Sequence, residues 1–471
     1  MNRNSLWRVM SISAALSLAI AACAPAAAPT TAPTAAPVEP TAAPQPTDVP
    51  PTEAPAATVA PTEAPADATA LRWRTRPDNK EEADVYAGIS DQLAAKLGLD
   101  LTYEPGGTES SSYQDQLITE IEGGTAPDVF WIPGTDVARF ATGGYILNLN
   151  ETAGDFDQSA FYPGPMFHLS YNPETGKSGA GSGALWGLPR DVSTFGLYLN
   201  LDLLEEAGAD DPRELAAAGN WTWETFADVT AKVAALGGDK FGYGGSAWWG
   251  PYGVWVNAAG GSFFTADRKG CALNTDQAKS GISFMQTLYS NANWAVPYGD
   301  DPEAVFRAGN LAMFQNGRWA TPGVRTVEFN YDVVDLPNGP GGTPGNWLFW
   351  GAYVVNAKTE HPAEAWALVQ ALTEADIQAQ VSASGANIPS RVSQDALNAF
   401  LGFTPPDNAQ AFLNGIADAA KPTAEGPLWD GNWPQVDQVY GAGISAVLSG
   451  ERSVDDFVAT ICDEAAPAFT K

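Results

Sequence analysis

Gly123-Gly124-Thr125-Ala126-Pro127-Asp128-Val129-Phe130-Trp131-Ile132 decides the fold class of this chain, because a glycine and proline turn delivers the backbone into a short apolar strand. Just before it, Tyr113, Leu117 and Ile121 recur one helical turn apart and mark an amphipathic helix. Further back, Leu99 to Glu104 reads as a strand broken by Pro105-Gly106-Gly107, and a helix capped at Asn79 runs to Leu97 and stops at Gly98. Leu71-Arg72-Trp73-Arg74-Thr75 is the first strand. The order is βαβαβ. Parallel strands joined by helices bring their C-terminal ends to one edge, where ligands bind in open α/β sheets. Glu104 and Trp131 therefore point toward a cleft, while Asp78 reads as a helix cap.

Upstream the character changes. Of the 46 residues from Ala24 to Thr69, all but nine are Ala, Pro or Thr, and none is aromatic, Lys or Arg. Such a segment buries too little apolar surface to offset its ordering entropy, so it reads as a disordered tether or an O-glycosylated stalk. Fully extended it reaches roughly 140 Å. Before it, Arg3 and Arg8 flank a short polar stretch, and an apolar run from Val9 to Ile20 leads into Ala21-Ala22-Cys23. The run is too short to span a bilayer and reads as an export signal over residues 1–22, with cleavage before Cys23. Ile20-Ala21-Ala22-Cys23 resembles the lipobox of bacterial lipoproteins, which implies acylation of Cys23 and anchoring to the cell membrane from outside.

The chain carries 55 acidic against 24 basic residues, a net charge of −31, and loss of the leader removes two arginines and no acid. That balance argues against nucleic acid and anionic lipid headgroups as partners and suits an extracytoplasmic domain. About 400 residues from Ala70 onward exceed one ordinary core, so two lobes are expected. Cys271 and Cys462 have two states open to them in an oxidising compartment, one disulfide or two buried thiols, and spacing does not choose.

Catalytic sets are thin. His168 and His361 are the only histidines and lie far apart, which offers no histidine metal cluster and no histidine-based triad. No phosphate-cradling loop appears, so no cofactor and no metal are expected. Two carboxylates across a sugar site would suffice for a glycosidase, but 55 acids make that signal uninformative. The 16 tryptophans say more. Several fall at expected loop positions: Trp131, Trp248 and Trp249, Trp319, Trp347 and Trp350, and Trp429 with Trp433. Flat pyranose faces stack on indole, and hydroxyls need fixed acceptors, so this combination suits a sugar.

Gly123 to Trp131 also resembles the corresponding segment of family 1 extracellular solute-binding proteins, the maltose-binding type. Leu185-Trp186-Gly187-Leu188-Pro189, Leu197-Tyr198-Leu199-Asn200 and Leu203 to Gly208 follow in the family's order, as does Trp221-Thr222-Trp223-Glu224-Thr225-Phe226, where Thr222 would cap a helix. Gly309 to Met313, Asn316-Gly317-Arg318-Trp319, Pro362 to Trp366 and Asn387-Ile388-Pro389-Ser390-Arg391 complete a pattern from Leu71 to the C-terminus.

The resemblance implies an α/β, two-lobed periplasmic-binding-protein fold of type II. Its N-terminal lobe would comprise 70–192 and 325–384 and its C-terminal lobe 193–324 and 385–471, with the chain crossing a hinge near Ser193, Arg325 and Ser384. It implies a monomer that closes on a mono- or oligosaccharide and delivers it to the transmembrane subunits of an ABC permease, without chemistry on the ligand. Carried over, the ligand-binding positions are Glu104, Trp131, Asp136, Asp191, Ser193, Trp249, Tyr252, Trp319, Trp350, Trp433 and Arg391. Arg190, Arg318 and Arg391 leave a glycerol phosphodiester or another small solute as an alternative, and an anchored glycoside hydrolase as a more distant one.

Overall fold

The computed structural model describes residues 68–77, 80–107, 110–385, 387–419, 429 and 431–469. The leader, Cys23, nearly all of the tether and the two caps at Asp78 and Asn79 lie outside the described residues.

Two sheets organise the chain. The first has six strands in the order β10-β4-β9-β3-β1-β2: β1 (Ala70–Thr75), β2 (Asp100–Pro105), β3 (Val129–Pro133), β4 (Leu188–Ser193), β9 (Phe349–Val355) and β10 (Ile388–Pro389). β1 runs parallel to both β2 and β3. The helices Lys80–Leu97 and Ser110–Gly123 connect these strands, which is the expected βαβαβ unit. Gly98 ends the first helix at φ +67°, a conformation that suits glycine. Tyr113, Leu117 and Ile121 are all buried, as their spacing demands. The second sheet has four strands in the order β6-β7-β5-β8: β5 (Phe195–Asn200), β6 (Phe241–Gly245), β7 (Leu311–Gly317) and β8 (Tyr331–Val334). Beside it lies the helix Trp223–Ala234, which begins with a reciprocal cap between Thr222 and Thr225.

The chain passes from the first sheet to the second within one residue, since β4 ends at Ser193 and β5 begins at Phe195. Thr194 between them donates its hydroxyl to the Phe412 carbonyl at 2.5 Å, and the Asn346 side chain closes two hydrogen bonds with the Phe195 backbone, at 3.0 and 2.7 Å. The other two crossings differ from the sequence expectation. β8 pairs with β5, and the Arg213–Asp332 ion pair at 2.9 Å fastens it there, so the chain returns over 335–348 rather than near Arg325. β10 pairs with β4 in the first sheet, where Pro389 sits on an edge strand that tolerates its missing N–H. The Gln378 side chain donates to the Arg190 carbonyl and the Ser390 hydroxyl and holds this segment in place. The last crossing therefore follows the helix Gln394–Leu401, which packs on β10, and precedes Gln410–Asp418, which packs on β5.

A disulfide joins Cys271 to Cys462 and ties the helix Val454–Ala465 to the segment that bridges Phe264.

Candidate functional site

A cleft of about 830 Å³ opens at the C-terminal edge of β3, beside β4 and β9, and is closed on its far side by the second lobe. Each wall follows from local structure. On the first lobe, β3 ends in the tight turn Gly134–Asp136, which swings Thr135 and Asp136 into the cleft. The Tyr113 hydroxyl donates to the Trp131 carbonyl at 3.0 Å and locks β3 to the preceding helix. β4 contributes Arg190, Asp191, Val192 and Ser193, and the segment entering β9 contributes Leu348, Phe349, Trp350 and Gly351. On the second lobe, Trp248 and Trp249 open the helix Trp249–Ala258, Trp319 follows β7, and Trp433 and Asp437 sit one turn apart on the helix Trp433–Leu448.

The indoles form a connected aromatic wall. Trp249 meets Trp248, Trp433 and Phe349 at centroid distances of 5.3, 5.5 and 5.4 Å, and Trp319 meets Phe349 edge-on at 5.5 Å. Opposite, Trp350 stacks with the buried His168 at 6.2 Å. Glycines make room for these rings: a Cβ at Gly134 would collide with Trp350, and one at Gly351 with the Trp131 indole. Trp131 is only 7 % exposed, and the guanidinium groups of Arg76 and Arg190 lie over its ring at 5.3 and 4.9 Å. It shapes the floor more than it offers an open stacking face.

Charges on the first-lobe wall are settled against one another. Arg190 Nε donates to Asp191 at 2.9 Å and its Nη1 donates to Thr75 Oγ1 at 2.7 Å. Burial disfavours the Arg190 charge most strongly, but Asp191, Tyr86, Glu82 and Tyr353 together outweigh it, so the guanidinium titrates well above its usual range. Arg139 pairs with Asp115 at 2.6 Å and lies 3.6 Å from Asp136. Burial raises the Asp136 carboxyl, against the pull of Arg139. The Ser193 hydroxyl accepts from the Arg318 backbone N–H at 3.1 Å, so the crossover touches the segment that carries Trp319. On the second lobe burial alone raises Asp437 to about 6.

Eight of the eleven positions singled out from sequence thus line one cleft: Trp131, Asp136, Asp191, Ser193, Trp249, Trp319, Trp350 and Trp433. Three do not. Glu104 is register-paired with Arg74 across β1 and β2 and forms ion pairs with Arg72 and Arg74. Tyr252 is three residues into its helix from Trp249 and faces the core against Phe263. Arg391 lies over Phe161 at 4.5 Å and donates to the Thr373 carbonyl. Conversely, Asp437, Phe349 and Gln114 line the cleft without having been singled out. The i, i+4 spacing of Trp433 and Asp437 was a usable signal for the first. Among the described residues no group of three or more His, Cys, Asp or Glu side chains could hold a metal ion, and no helix is long and apolar enough to cross a membrane.

Two α/β lobes around an interlobe cleft at the strand ends define a type II solute-binding architecture. Sequence comparison agrees: the family model for bacterial extracellular solute-binding proteins matches residues 89–400, and the chain belongs to that family. Among its relatives, a galactooligosaccharide-binding protein of Bacillus subtilis is 26 % identical over 273 residues, 55 % of this chain and 58 % of the relative. The fold matches an ABC substrate-binding protein of Listeria monocytogenes solved with cycloalternan, with a TM-score of 0.72, 19 % identity and coverage of 84 % of this chain and 98 % of that one. It also matches UgpB of Mycobacterium tuberculosis solved with glycerophosphocholine, with a TM-score of 0.70, 17 % identity and coverage of 85 % and 98 %. Members of this family bind solutes for transport and are not enzymes.

Proposed function

We propose that this protein is the ligand-capturing receptor of an ABC importer, that its ligand is a mono- or oligosaccharide, and that it works outside the cell membrane, anchored by lipid on Cys23 through the Ala/Pro/Thr-rich tether. The observation that carries the saccharide reading is the aromatic lining: Trp248, Trp249, Trp319, Phe349, Trp350 and Trp433 surround one cleft together with carboxylates. Indoles supply flat faces for pyranose C–H groups, and Asp136, Asp191 and Asp437 supply acceptors for hydroxyls. A cleft of this volume lies within the range of small-molecule sites.

Capture proceeds by closure. A sugar that touches the first-lobe wall and the second-lobe tryptophans together stabilises the closed arrangement over the open one, with motion taken up at Thr194 and in the two other crossings. The permease reads the closed form. A monomer suffices, because both walls come from one chain, and the ligand leaves unaltered.

A phosphodiester is the less favoured ligand for a specific reason. Arg190 and Arg139 are already committed to carboxylates, Arg76 lies over the Trp131 ring, Arg391 lies outside the cleft, and Arg318 is 0 % exposed among Phe400, Phe403 and Phe412. A thermal-shift panel on the mature protein carrying Cys23→Ser tests this order, with mono- and oligosaccharides against glycerol phosphodiesters, polyamines and short peptides. A shift with a saccharide alone supports the reading. A shift confined to the phosphodiesters sinks it.

A further inference from the structure

The charges around the cleft are unevenly settled. Acids on the first-lobe wall have arginine neighbours: Asp115 and Asp136 at Arg139, and Asp191 at Arg190. Among the described residues Asp437 is the one charged residue lining the second-lobe wall, and no cation and no hydrogen-bond donor among them is paired with it. The groups that feel its charge are the phenols of Tyr252 and Tyr298, both raised by burial and neutral at physiological pH. The other two helices packed on the Asp437 helix carry Asp276, Lys279, Asp455, Asp456, Asp463 and Glu464, and none of these contributes to its titration, of which burial is the sole cause.

This carboxylate stands at the end of an aromatic wall. Trp433 precedes it by four residues on the same helix, so both side chains share a face. The Trp433 ring meets Trp249, and Trp249 meets Trp248 and Phe349. A partly desolvated carboxylate without a counter-ion is unfavourable until a cation arrives, and indole faces attract cations through their quadrupole. A neutral hydroxyl gives such a carboxylate a hydrogen bond but leaves its charge uncompensated. An ammonium group does both. The net charge of −31 concentrates cationic rather than anionic solutes at the cleft mouth.

We infer that the ligand of this cleft carries a protonated amine, as an amino-substituted saccharide does, and that its nitrogen sits against Asp437 and the indoles of Trp433 and Trp249. The inference rests on the saccharide reading above and names the class within it. Its test is calorimetry on the mature protein with each saccharide and its 2-amino-2-deoxy counterpart, at pH 7.0 and pH 5.0, with tetramethylammonium as a sugar-free probe. The amino form should bind about tenfold or more tightly than its neutral counterpart at pH 7.0, the scale of one charge-assisted contact. At pH 5.0 only about a tenth of Asp437 is ionised, so that advantage shrinks by roughly tenfold. Asp437→Asn should erase the preference and Asp437→Glu should keep most of it, with melting curves confirming that both variants fold. An amino form that binds no better than the neutral one, or a preference that survives Asp437→Asn, overturns the inference. If no saccharide of either kind binds, tetramethylammonium decides: binding that Asp437→Asn abolishes upholds the ammonium site and overturns the sugar alone, and absence of binding overturns both.

Discussion

Removing the disulfide between Cys271 and Cys462 should destabilise the second lobe by several kcal/mol. The two cysteines are 191 residues apart in sequence, so the bond closes a long loop in the unfolded chain. The loop-entropy relation gives about 5 kcal/mol for a loop of that size, and measured disulfides return about 2 to 4. Some of the local structure survives its loss. The Tyr440 hydroxyl still donates to the Phe263 carbonyl at 3.1 Å, and the Asn432 N–H to the Ala468 carbonyl at 2.8 Å, so the Trp433 helix keeps two other ties to its lobe. The double variant Cys271→Ala/Cys462→Ala should therefore unfold at clearly lower denaturant than the parent, while ligand affinity changes by less than about tenfold. Urea titration followed by tryptophan fluorescence, with the parent run in reducing and non-reducing buffer, measures this. A midpoint that reduction and the double substitution both leave unmoved would refute the reasoning, since the cross-link would then add nothing to the folded state.

Trp319→Ala should weaken saccharide binding by at least about tenfold in calorimetry while far-UV circular dichroism stays unchanged, because its indole faces both the cleft and Phe349. Gly351→Ala should displace the Trp131 indole and lower both stability and affinity, whereas an exposed control such as Gly107→Ala should not, and thermal melts with calorimetry separate the two. The pH dependence of stability has a definite sign at Asp437. Its folded pKa, raised to about 6, exceeds the unfolded value, so the folded state holds the proton more tightly and stability falls as pH rises between the two values. Asp437→Asn should thus raise the stability of the unliganded protein at pH 7.5, by about 1 to 2 kcal/mol after discounting for partial exposure, and leave it unchanged below pH 4. Denaturant titrations at both pH values read the difference.

Local signals carried the first hundred folded residues and, further on, the helix that starts at Thr222. Glycine and proline stops, the helical period of Tyr113, Leu117 and Ile121, and the Thr222 cap each act within a few residues, and all three reappear in the structure. The choice of sheet for β8 and β10 is not local. A four-residue strand at Tyr331–Val334, apolar but for Asp332, suits either sheet, and a two-residue strand at Ile388–Pro389 has no period to read, so their places depend on partners far away in sequence, in β5 and β4. The site divides in the same way. Tryptophans at strand ends and helix starts, such as Trp319 and Trp249, were legible because the turn that exposes them is encoded beside them. Glu104 was not, because the parallel register that sets it opposite Arg74 is a tertiary fact. Tyr252 was misplaced because the helix Trp249–Ala258 is apolar all round and its sequence does not say which face meets the cleft.

Capture without chemistry requires that one sugar be held between the two lobes and released intact. Calorimetric titration of the mature protein with the saccharide giving the largest thermal shift, with X-ray scattering before and after saturation and chromatography of the recovered ligand, tests it most directly. One site per chain, a smaller radius of gyration on binding and ligand recovered unchanged are expected. No saturable binding to any saccharide, or recovery of shortened products, would contradict it.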